Sequence, residues 1–450
     1  MRAFSQPSGP VPPGAWAGRV LPLTGGRGWV LLAAMGTLGY MSARLALSAP
    51  PPGADPELGD VNPANTVLQL VLLGFGIVHA LRYPRETLRT MRQAWPFVLV
   101  VMVAAASVLW SQAPAATMRR AAALGTLVLF AAAILHRLGL ERFMRVVVGT
   151  TILASIAGLA EAVLRPELGF DTGEYANAIR GIFFQKNNFG FALLAGTLAL
   201  SFLILERGRP RAWDVAIFLF LLVMLVLSRS TTALLLSVAV TGGTVVALGL
   251  DRGGAWTAAT LVLMAVGGTL ALLAITLLGP SGLFEAVGKD DTLTGRTYIW
   301  AEVRHAISLR PYLGYGYNAF WLHGSHAAEL LHQRVGWQAP TAHSGYLDVT
   351  LQLGMFGPAL VLLLNAITIW RAILAMRDGY RRRAFWVLIL STVYAIYNYS
   401  ESLLLRPDLQ FLLWTLAAIS VAPVPLRQDA GQWKGPWSFR SSGQARTIIH

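Results

Sequence analysis

The 450-residue sequence contains no cysteine and little charge of either sign. Without cysteine the chain can form no disulfide bond, no thiolate metal site and no thiol nucleophile. Only 13% of its residues are charged, whereas an ordinary soluble domain has about 25%. Such a chain cannot cover a globule with polar surface. A soluble enzyme, a nucleic-acid-binding protein and a disordered protein are therefore excluded.

Apolar residues make up 55% of the chain and occur in long runs. A membrane-spanning helix needs about 20 such residues, and twelve runs meet or approach that length. The sequence therefore predicts an all-α, polytopic membrane protein with about 12 transmembrane helices. The predicted spans are 29–48, 65–81, 95–113, 121–135, 143–164, 188–205, 213–228, 231–250, 256–278, 345–370, 384–400 and 408–422.

Lysine is also scarce, with three among 36 basic residues, and most arginines lie in short loops between apolar runs. If both termini lie in the cytoplasm, five arginine-bearing connections also lie on the cytoplasmic side. They start near residues 82, 136, 206, 251 and 371. The first outer loop, 49–64, has acidic residues but neither lysine nor arginine. This asymmetry follows the positive-inside rule and predicts the orientation. The net charge of +14 thus reflects membrane topology.

The spans divide the chain into five predicted segments. Residues 1–28 lack an apolar signal-peptide core and are predicted to form a flexible cytoplasmic tail. Helices one to nine occupy 29–278, helices ten to twelve occupy 345–422, and a second cytoplasmic tail covers 423–450. Between the two helical segments, 279–344 form a long periplasmic loop, and loops of this length are usually functional.

Part of this loop is predicted to be helical. Ile299, Val303 and Ile307 fall on one face of a helix that covers 295–305 and its next turn. Pro311 and the glycines that follow it then break the helix.

Charged residues near membrane depth usually mark function, and here they collect near the predicted outer helix ends. They are Arg44, Glu161, Arg229, Asp348 and Glu401, joined by Arg180 and Lys186 before helix six and by Arg296 and His343 of the loop. Because the helix centres are almost free of charge, a through-membrane ion path is disfavoured. Arginine binds phosphate oxygens through paired hydrogen bonds, so the cluster indicates a phosphate-bearing substrate. The alternative is that each arginine anchors a helix end among lipid headgroups.

Histidine is the natural general base near neutral pH. His343 stands in the stretch 340–347, where the loop returns to the membrane as helix ten. A helix-capping role is the alternative for this stretch, since Thr341 and Ser344 both suit a cap. No metal site is predicted, because no paired carboxylate pattern accompanies the other loop histidines.

Four motifs follow one another between residues 180 and 357. They are RGIFFQKNNFG at 180–190, SRSTTA at 228–233, DTLTGRTYIW at 291–300 with PYLGYG at 311–316, and AHSGYL at 342–347 with LGMFG at 353–357. In this order, with the long loop between the last two, they resemble the O-antigen ligase and polymerase family, and more closely its exopolysaccharide-polymerase branch. The family usually has Asn after the histidine, where this chain has Ser344.

The resemblance implies inverting, metal-independent glycosyl transfer at the periplasmic face of a bacterial inner membrane. It implies a donor glycan on undecaprenyl diphosphate and an acceptor hydroxyl on another glycan, with no cofactor and no nucleic acid. Polysaccharide export or chain-length proteins are the expected protein partners. His343 is the predicted base. The predicted diphosphate-binding residues are Arg229, Arg296, Arg180 and Lys186, and the predicted supporting residues are Asn187, Trp300, Tyr346 and Glu401.

Three other functions compete with a repeat-unit polymerase. A ligase would attach finished glycan to a lipid or protein acceptor with the same donor chemistry. A transporter would move a lipid-linked sugar, but midplane charges and half-to-half repetition are lacking. An inactive accessory subunit would tolerate the loss of His343.

Overall fold

The computed structural model describes residues 26–41, 63–171, 177–255, 257, 296–322 and 324–423. Within these ranges the regular secondary structure is helical, and an isolated bridge joins Phe170 and Ile179. The predicted all-α fold class is therefore confirmed. Predicted helix nine lies almost entirely outside the described residues, as do the outer loop 49–64 and most of both tails.

Sixteen helices are described, and we number them in chain order. They are α1 (Gly26–Tyr40), α2 (Pro63–Arg82), α3 (Pro84–Gln93), α4 (Trp95–Ala106), α5 (Pro114–Arg137), α6 (Leu140–Leu164), α7 (Pro166–Gly169), α8 (Lys186–Arg207), α9 (Ala212–Ser228), α10 (Thr231–Arg252), α11 (Arg296–Leu309), α12 (His326–Val335), α13 (Gly345–Leu353), α14 (Phe356–Arg377), α15 (Arg381–Ser400) and α16 (Leu409–Ser420).

Five of the described helices, α5, α6, α8, α10 and α14, are long and apolar enough to cross a membrane. A sixth span is present if α2 and α3, which meet at a bend of 112°, count as one. Helices α1, α4, α9 and α16 are apolar but shorter. The chain thus has the helices of a membrane protein, and the count of about 12 stays a prediction.

Helix α8 lies at the centre of the bundle, with 89% of its apolar stretch buried. It packs against α6, α9, α10 and α15. Gly196 allows the contact with α6, because a Cβ atom there would lie 2.7 Å from the Thr151 side chain. The helix ends where Gly208 adopts a left-handed conformation with a φ of 74°, a conformation that glycine adopts without steric cost. A helix that is apolar on every side must lie away from water, and α8 meets this condition inside the bundle.

The prediction that helix ten is one continuous helix over 345–370 is wrong. The structure divides it into α13 and α14, and Gly354 stands between them with a φ of 60°. A Cβ atom on Gly354 would lie 2.1 Å from the carbonyl oxygen of Tyr312. The break therefore lets the turn after α11 pack directly against the backbone between the two helices.

The helix predicted in the long loop is confirmed as α11, where Ile299 and Val303 are fully buried. The helix ends at Leu309, before Pro311. Buried side chains of α11, α12 and α13 then form a second apolar core, separate from that of the main bundle. Such a core gives this part of the chain its own rigid packing.

Helices α8, α10 and α15 turn their arginine-bearing ends to one side of the bundle, where ion pairs join them. Arg382 Nε lies 2.6 Å from Asp251 Oδ2, and Arg383 binds the Glu206 carboxylate with two hydrogen bonds of 2.9 Å. We call this side the arginine-rich end. The opposite side, where α8 and α10 begin and α9 and α15 end, is the site end.

Candidate functional site

A polar cavity of about 50 Å³ lies at the site end. Its lining brings together three residues predicted from the sequence, His343, Asn187 and Glu401. They come from the segment before α13, the first turn of α8 and the residue after α15. Other polar lining residues are Tyr40, Gln185, Asn188, Thr341, Tyr397, Ser402, Arg406 and Asp408. A cavity of this volume holds a few water molecules or the edge of a small polar ligand.

His343 occupies the left-handed region of the backbone, with a φ of 49°. For a residue with a Cβ atom this conformation costs about 1–2 kcal/mol, so the surrounding structure must enforce it. The His343 backbone N–H donates to Thr341 Oγ1 at 3.2 Å, and the imidazole stacks on Trp337 with ring centroids 6.1 Å apart. The imidazole is therefore held at the cavity by strained backbone and a stacked ring.

The peptide before His343 is fixed on both sides. Trp300 Nε1 donates to the carbonyl oxygen of Ala342 at 2.9 Å, and the Ala342 N–H donates to Asp348 Oδ1 at 3.2 Å. Trp321 Nε1 donates to the same Asp348 oxygen at 2.7 Å. Trp300, predicted as a supporting residue, thus holds the backbone beside His343. Asp348 and Trp321 complete this support.

Asn187 links three elements at the cavity. Its Nδ2 donates to Glu401 Oε1 at 3.3 Å, and its Oδ1 accepts from Ser230 Oγ at 3.5 Å. Glu401 in turn accepts the Gly345 N–H through its backbone carbonyl, at 2.9 Å. The start of α8, the α9–α10 turn and the start of α13 are therefore connected through Glu401 and its amide partner.

Arg229 stands in the α9–α10 turn, directly before Ser230. Its φ is 51°, again in the left-handed region, and its side chain is exposed. The guanidinium makes no hydrogen bond or ion pair with the residues that the structure describes, and Arg229 does not line the cavity. An arginine beside the cavity with no carboxylate partner among the described residues can bind an anionic ligand.

Arg180 and Lys186 precede the cavity residue Asn187 in the chain, but neither of them lines the cavity. Arg180 Nε donates to the Leu168 carbonyl at 3.0 Å and its Nη1 donates to the Phe184 carbonyl at 3.3 Å. The Lys186 N–H donates to Asp171 Oδ2 at 3.1 Å, which satisfies one free donor at the start of α8. Both residues thus shape the segment that leads into α8.

Of the remaining two predicted residues, Tyr346 lies outside the cavity lining. Tyr346 Oη donates to the Ala395 carbonyl at 2.9 Å and so holds α13 against α15. Arg296 is the first residue of α11, and its side chain lies outside the described residues. The same is true of Arg44.

Sequence reasoning missed several cavity residues, among them Tyr40, Arg406 and Asp408. Arg406 Nη1 donates to the Ser402 carbonyl at 3.0 Å. Asp408 caps α16, where its Oδ1 accepts the Phe411 N–H at 3.0 Å. An acidic residue directly before an apolar run is a helix-capping signal, but it does not indicate that the cap faces a ligand site.

No three His, Cys, Asp or Glu side chains converge on a possible metal position within the described ranges. The polar lining of the cavity consists of one imidazole, carboxyl, hydroxyl and amide groups, and one guanidinium. This set can accept a proton, hold hydroxyl groups and balance negative charge.

Comparison with known proteins supports the resemblance carried by the motifs. Residues 216–362 match the family model described as O-antigen ligase. The match covers 147 of the 450 residues and, together with the apolar helical fold, supports the resemblance to the O-antigen ligase and polymerase family. Within the match lie Arg229, Arg296, Trp300, His343 and Tyr346, while Arg180, Lys186, Asn187 and Glu401 lie outside it.

The chain is also similar to the exopolysaccharide production protein ExoQ of Rhizobium meliloti (strain 1021). The two sequences are 28% identical over 279 residues, which cover 58% of this chain and 61% of the relative. The chain thus matches about three fifths of that relative's length.

Proposed function

We propose that this protein is an inverting, metal-independent glycosyltransferase that polymerises oligosaccharide repeat units. It moves a glycan from undecaprenyl diphosphate to a hydroxyl of another glycan. The observation that best supports this function is the cavity that His343 shares with Asn187 and Glu401. A base beside hydroxyl-binding groups, with Arg229 available near the rim, provides the components that this reaction requires.

In the proposed reaction, His343 accepts the proton of the acceptor hydroxyl as its oxygen attacks the anomeric carbon of the donor. The new C–O bond forms on the face opposite the breaking one, so the anomeric configuration inverts. The electron pair of the broken bond leaves on undecaprenyl diphosphate. The imidazolium then returns its proton to solvent.

The leaving diphosphate is stabilised by arginine in this proposal. Arg229 and Arg296 bind its oxygens, and Arg180 and Lys186 contribute positive potential from the segment before α8. Fixed guanidinium groups aimed at developing negative charge lower the barrier without reorganising during the step. In this proposal the guanidinium groups neutralise the charge that a divalent cation neutralises in metal-dependent transferases.

The proposed placement is in a bacterial inner membrane, with both termini in the cytoplasm and the site end facing the periplasm. The positive-inside rule supports this orientation, because the arginine-rich end carries the ion-paired loops. In this arrangement about 12 helices form the bundle, and residues 279–344 form the periplasmic loop between helices nine and ten. Polysaccharide export or chain-length proteins are the proposed partners.

The test is complementation of a strain that lacks this protein, with variants expressed at matched membrane levels. His343→Ala should abolish long polymer and leave single repeats on the lipid carrier. Arg229→Gly should do the same without strain, because glycine adopts a φ of 51° at little cost. His305→Ala, an exposed histidine of α11, and Arg209→Gly, in an exposed loop of the arginine-rich end, are the controls. Normal polymer from His343→Ala would refute the assignment of the base.

A ligase is the second candidate, because the matching family model is described as O-antigen ligase. The deletion strain separates the two functions. A ligase deletion accumulates finished polymer that is not attached to its acceptor, whereas a polymerase deletion accumulates single repeats. Purified protein that moves a lipid-linked sugar across vesicles without changing its glycosidic bonds would instead indicate a transporter.

A further inference from the structure

Helix α3 lies between two apolar helices but has the composition of a surface element. Three of its ten residues are arginines and one is a glutamate. It meets α2 at a bend of 112°, so α3 runs close to the membrane plane when α2 crosses the membrane. The carbonyl oxygen of Gln93, its last residue, accepts from Arg371 Nη1 at 2.7 Å, and Arg371 belongs to the last two turns of α14. Helix α3 therefore lies along the arginine-rich end of the bundle.

Packed side chains hold the bend between α2 and α3. Tyr83 stands at the bend, and its Oη accepts from Arg137 Nη1 at 3.0 Å. The Tyr83 ring also contacts the imidazoles of His79 and His136, with ring centroids 5.2 Å and 4.7 Å away. His79 belongs to the last turn of α2 and is buried, while His136 and Arg137 end α5. The packing of α2 against the end of α5 therefore fixes the direction of α3.

The side chains of α3 form a basic face and a buried face. At about 100° per residue, Arg85, Arg89 and Arg92 fall within an arc of about 60° around the helix axis. All three are exposed, whereas Thr87 is buried and Met91 packs against the bundle core. None of the three guanidinium groups pairs with a carboxylate of the described residues. The basic face can therefore bind an anionic partner.

Exposed apolar side chains flank the basic face. Leu88 is exposed and lies about 40° from Arg92 around the helix axis. Leu81 and Trp95, at the two ends of α3, are exposed as well. Guanidinium groups beside exposed leucine and tryptophan suit the headgroup region of a bilayer, where cations reach phosphates and apolar side chains reach the acyl boundary. A soluble anion would contact the arginines and leave these apolar side chains in water.

We propose that α3 is an interfacial helix whose basic face binds the headgroups of anionic phospholipids through Arg85, Arg89 and Arg92. Guanidinium binds phosphate oxygens through paired hydrogen bonds. An anionic leaflet strengthens the binding of a basic segment by about fivefold for each arginine near its surface. The inference does not depend on the proposed function, because it concerns the end of the bundle opposite the site end.

Hydrogen–deuterium exchange tests this assignment with the full-length protein in nanodiscs. The two bilayers are pure phosphatidylcholine, which has no net charge, and a mixture of phosphatidylcholine with anionic phosphatidylglycerol. Because a ligand that binds the folded helix opposes its local opening, the amides of residues 84–93 should exchange severalfold more slowly in the anionic bilayer. The triple variant Arg85→Gln, Arg89→Gln, Arg92→Gln should exchange equally in both bilayers. High salt should weaken the wild-type difference, because it screens exposed charges.

The matched control is the triple variant Arg142→Gln, Arg209→Gln, Arg211→Gln. It removes the same charge from other exposed positions at the arginine-rich end and should keep the slower exchange in the anionic bilayer. Equal exchange of wild-type residues 84–93 in the two bilayers would overturn the proposal. Loss of the lipid dependence in the control variant would also overturn it, because the effect would then follow from net charge alone.

Two further measurements complete the test. Inorganic phosphate added to phosphatidylcholine nanodiscs should not slow the exchange of residues 84–93, and protection by phosphate would assign the basic face to a soluble anion instead. If the triple variant of α3 fails to fold, Arg85→Gln, Arg89→Gln and Arg92→Gln are tested singly. Each should keep only part of the lipid-dependent protection, and full protection in all three would overturn the proposal.

Discussion

Asn187 and Glu401 are 214 residues apart in the chain, yet the Asn187 amide donates to the Glu401 carboxylate at 3.3 Å. The pair joins the first turn of α8 to the end of α15 on the wall of the cavity. The contact also requires these residue types, because the Glu401 carboxylate only accepts hydrogen bonds and the Asn187 amide supplies a donor.

The first prediction concerns this pair. Asn187→Asp should reduce glycan transfer at least about tenfold, because it places a second carboxylate against Glu401. Adding Glu401→Gln should recover part of the loss, since the like-charge contact becomes an amide–carboxylate contact. The measurement is transfer rate with purified protein for both single variants and the double variant. Additive losses would show that the two residues act independently.

The second prediction concerns the close contact between α8 and the α9–α10 turn. A Cβ atom on Gly190 would lie 2.4 Å from Ser230 Oγ. Gly190→Ala should therefore displace the turn that carries Arg229 and destabilise the protein by about 1–3 kcal/mol. Gly242→Ala in α10 is the control, because a Cβ atom there meets nothing within 4 Å. Thermal unfolding in detergent should separate the two variants, and equal melting temperatures would contradict the packing argument.

The third prediction concerns the support of His343. Trp300→Phe keeps an aromatic ring but removes the donor to the Ala342 carbonyl. The transfer rate should fall about tenfold while donor binding stays unchanged, because a small displacement of a base costs rate more than affinity. Trp213→Phe, which alters an exposed ring at the start of α9, should leave the rate unchanged. A loss confined to protein level would show a purely structural role.

Many predicted spans correspond to described helices, because the local sequence determines where each of these helices forms. Predicted span 188–205 lies within α8 and 231–250 lies within α10. Apolar runs set such helices, and flanking arginines and glycines end them. The break at Gly354 was missed because the apolar pattern continues on both sides. Its cause is contact with the Tyr312 backbone, which depends on tertiary structure.

The cavity was predictable only in part, for the same physical reason. His343 has a recognisable family motif, whereas Tyr40 and Asp408 reach the cavity from α1 and from the cap of α16. One sequence contains no signal that these distant segments meet. The α2–α3 bend of 112° was missed because the arginine-rich segment 84–93 has the composition of a loop.

The second apolar core bears on where substitutions can act on the site. Ala339 and Ala342, which precede His343 in the chain, belong to this core together with Ile299 and Val303 of α11. Because a close-packed core transmits small displacements, a substitution in α11 that never touches the cavity can still move the imidazole. The positions that control the site therefore extend beyond the residues that line it.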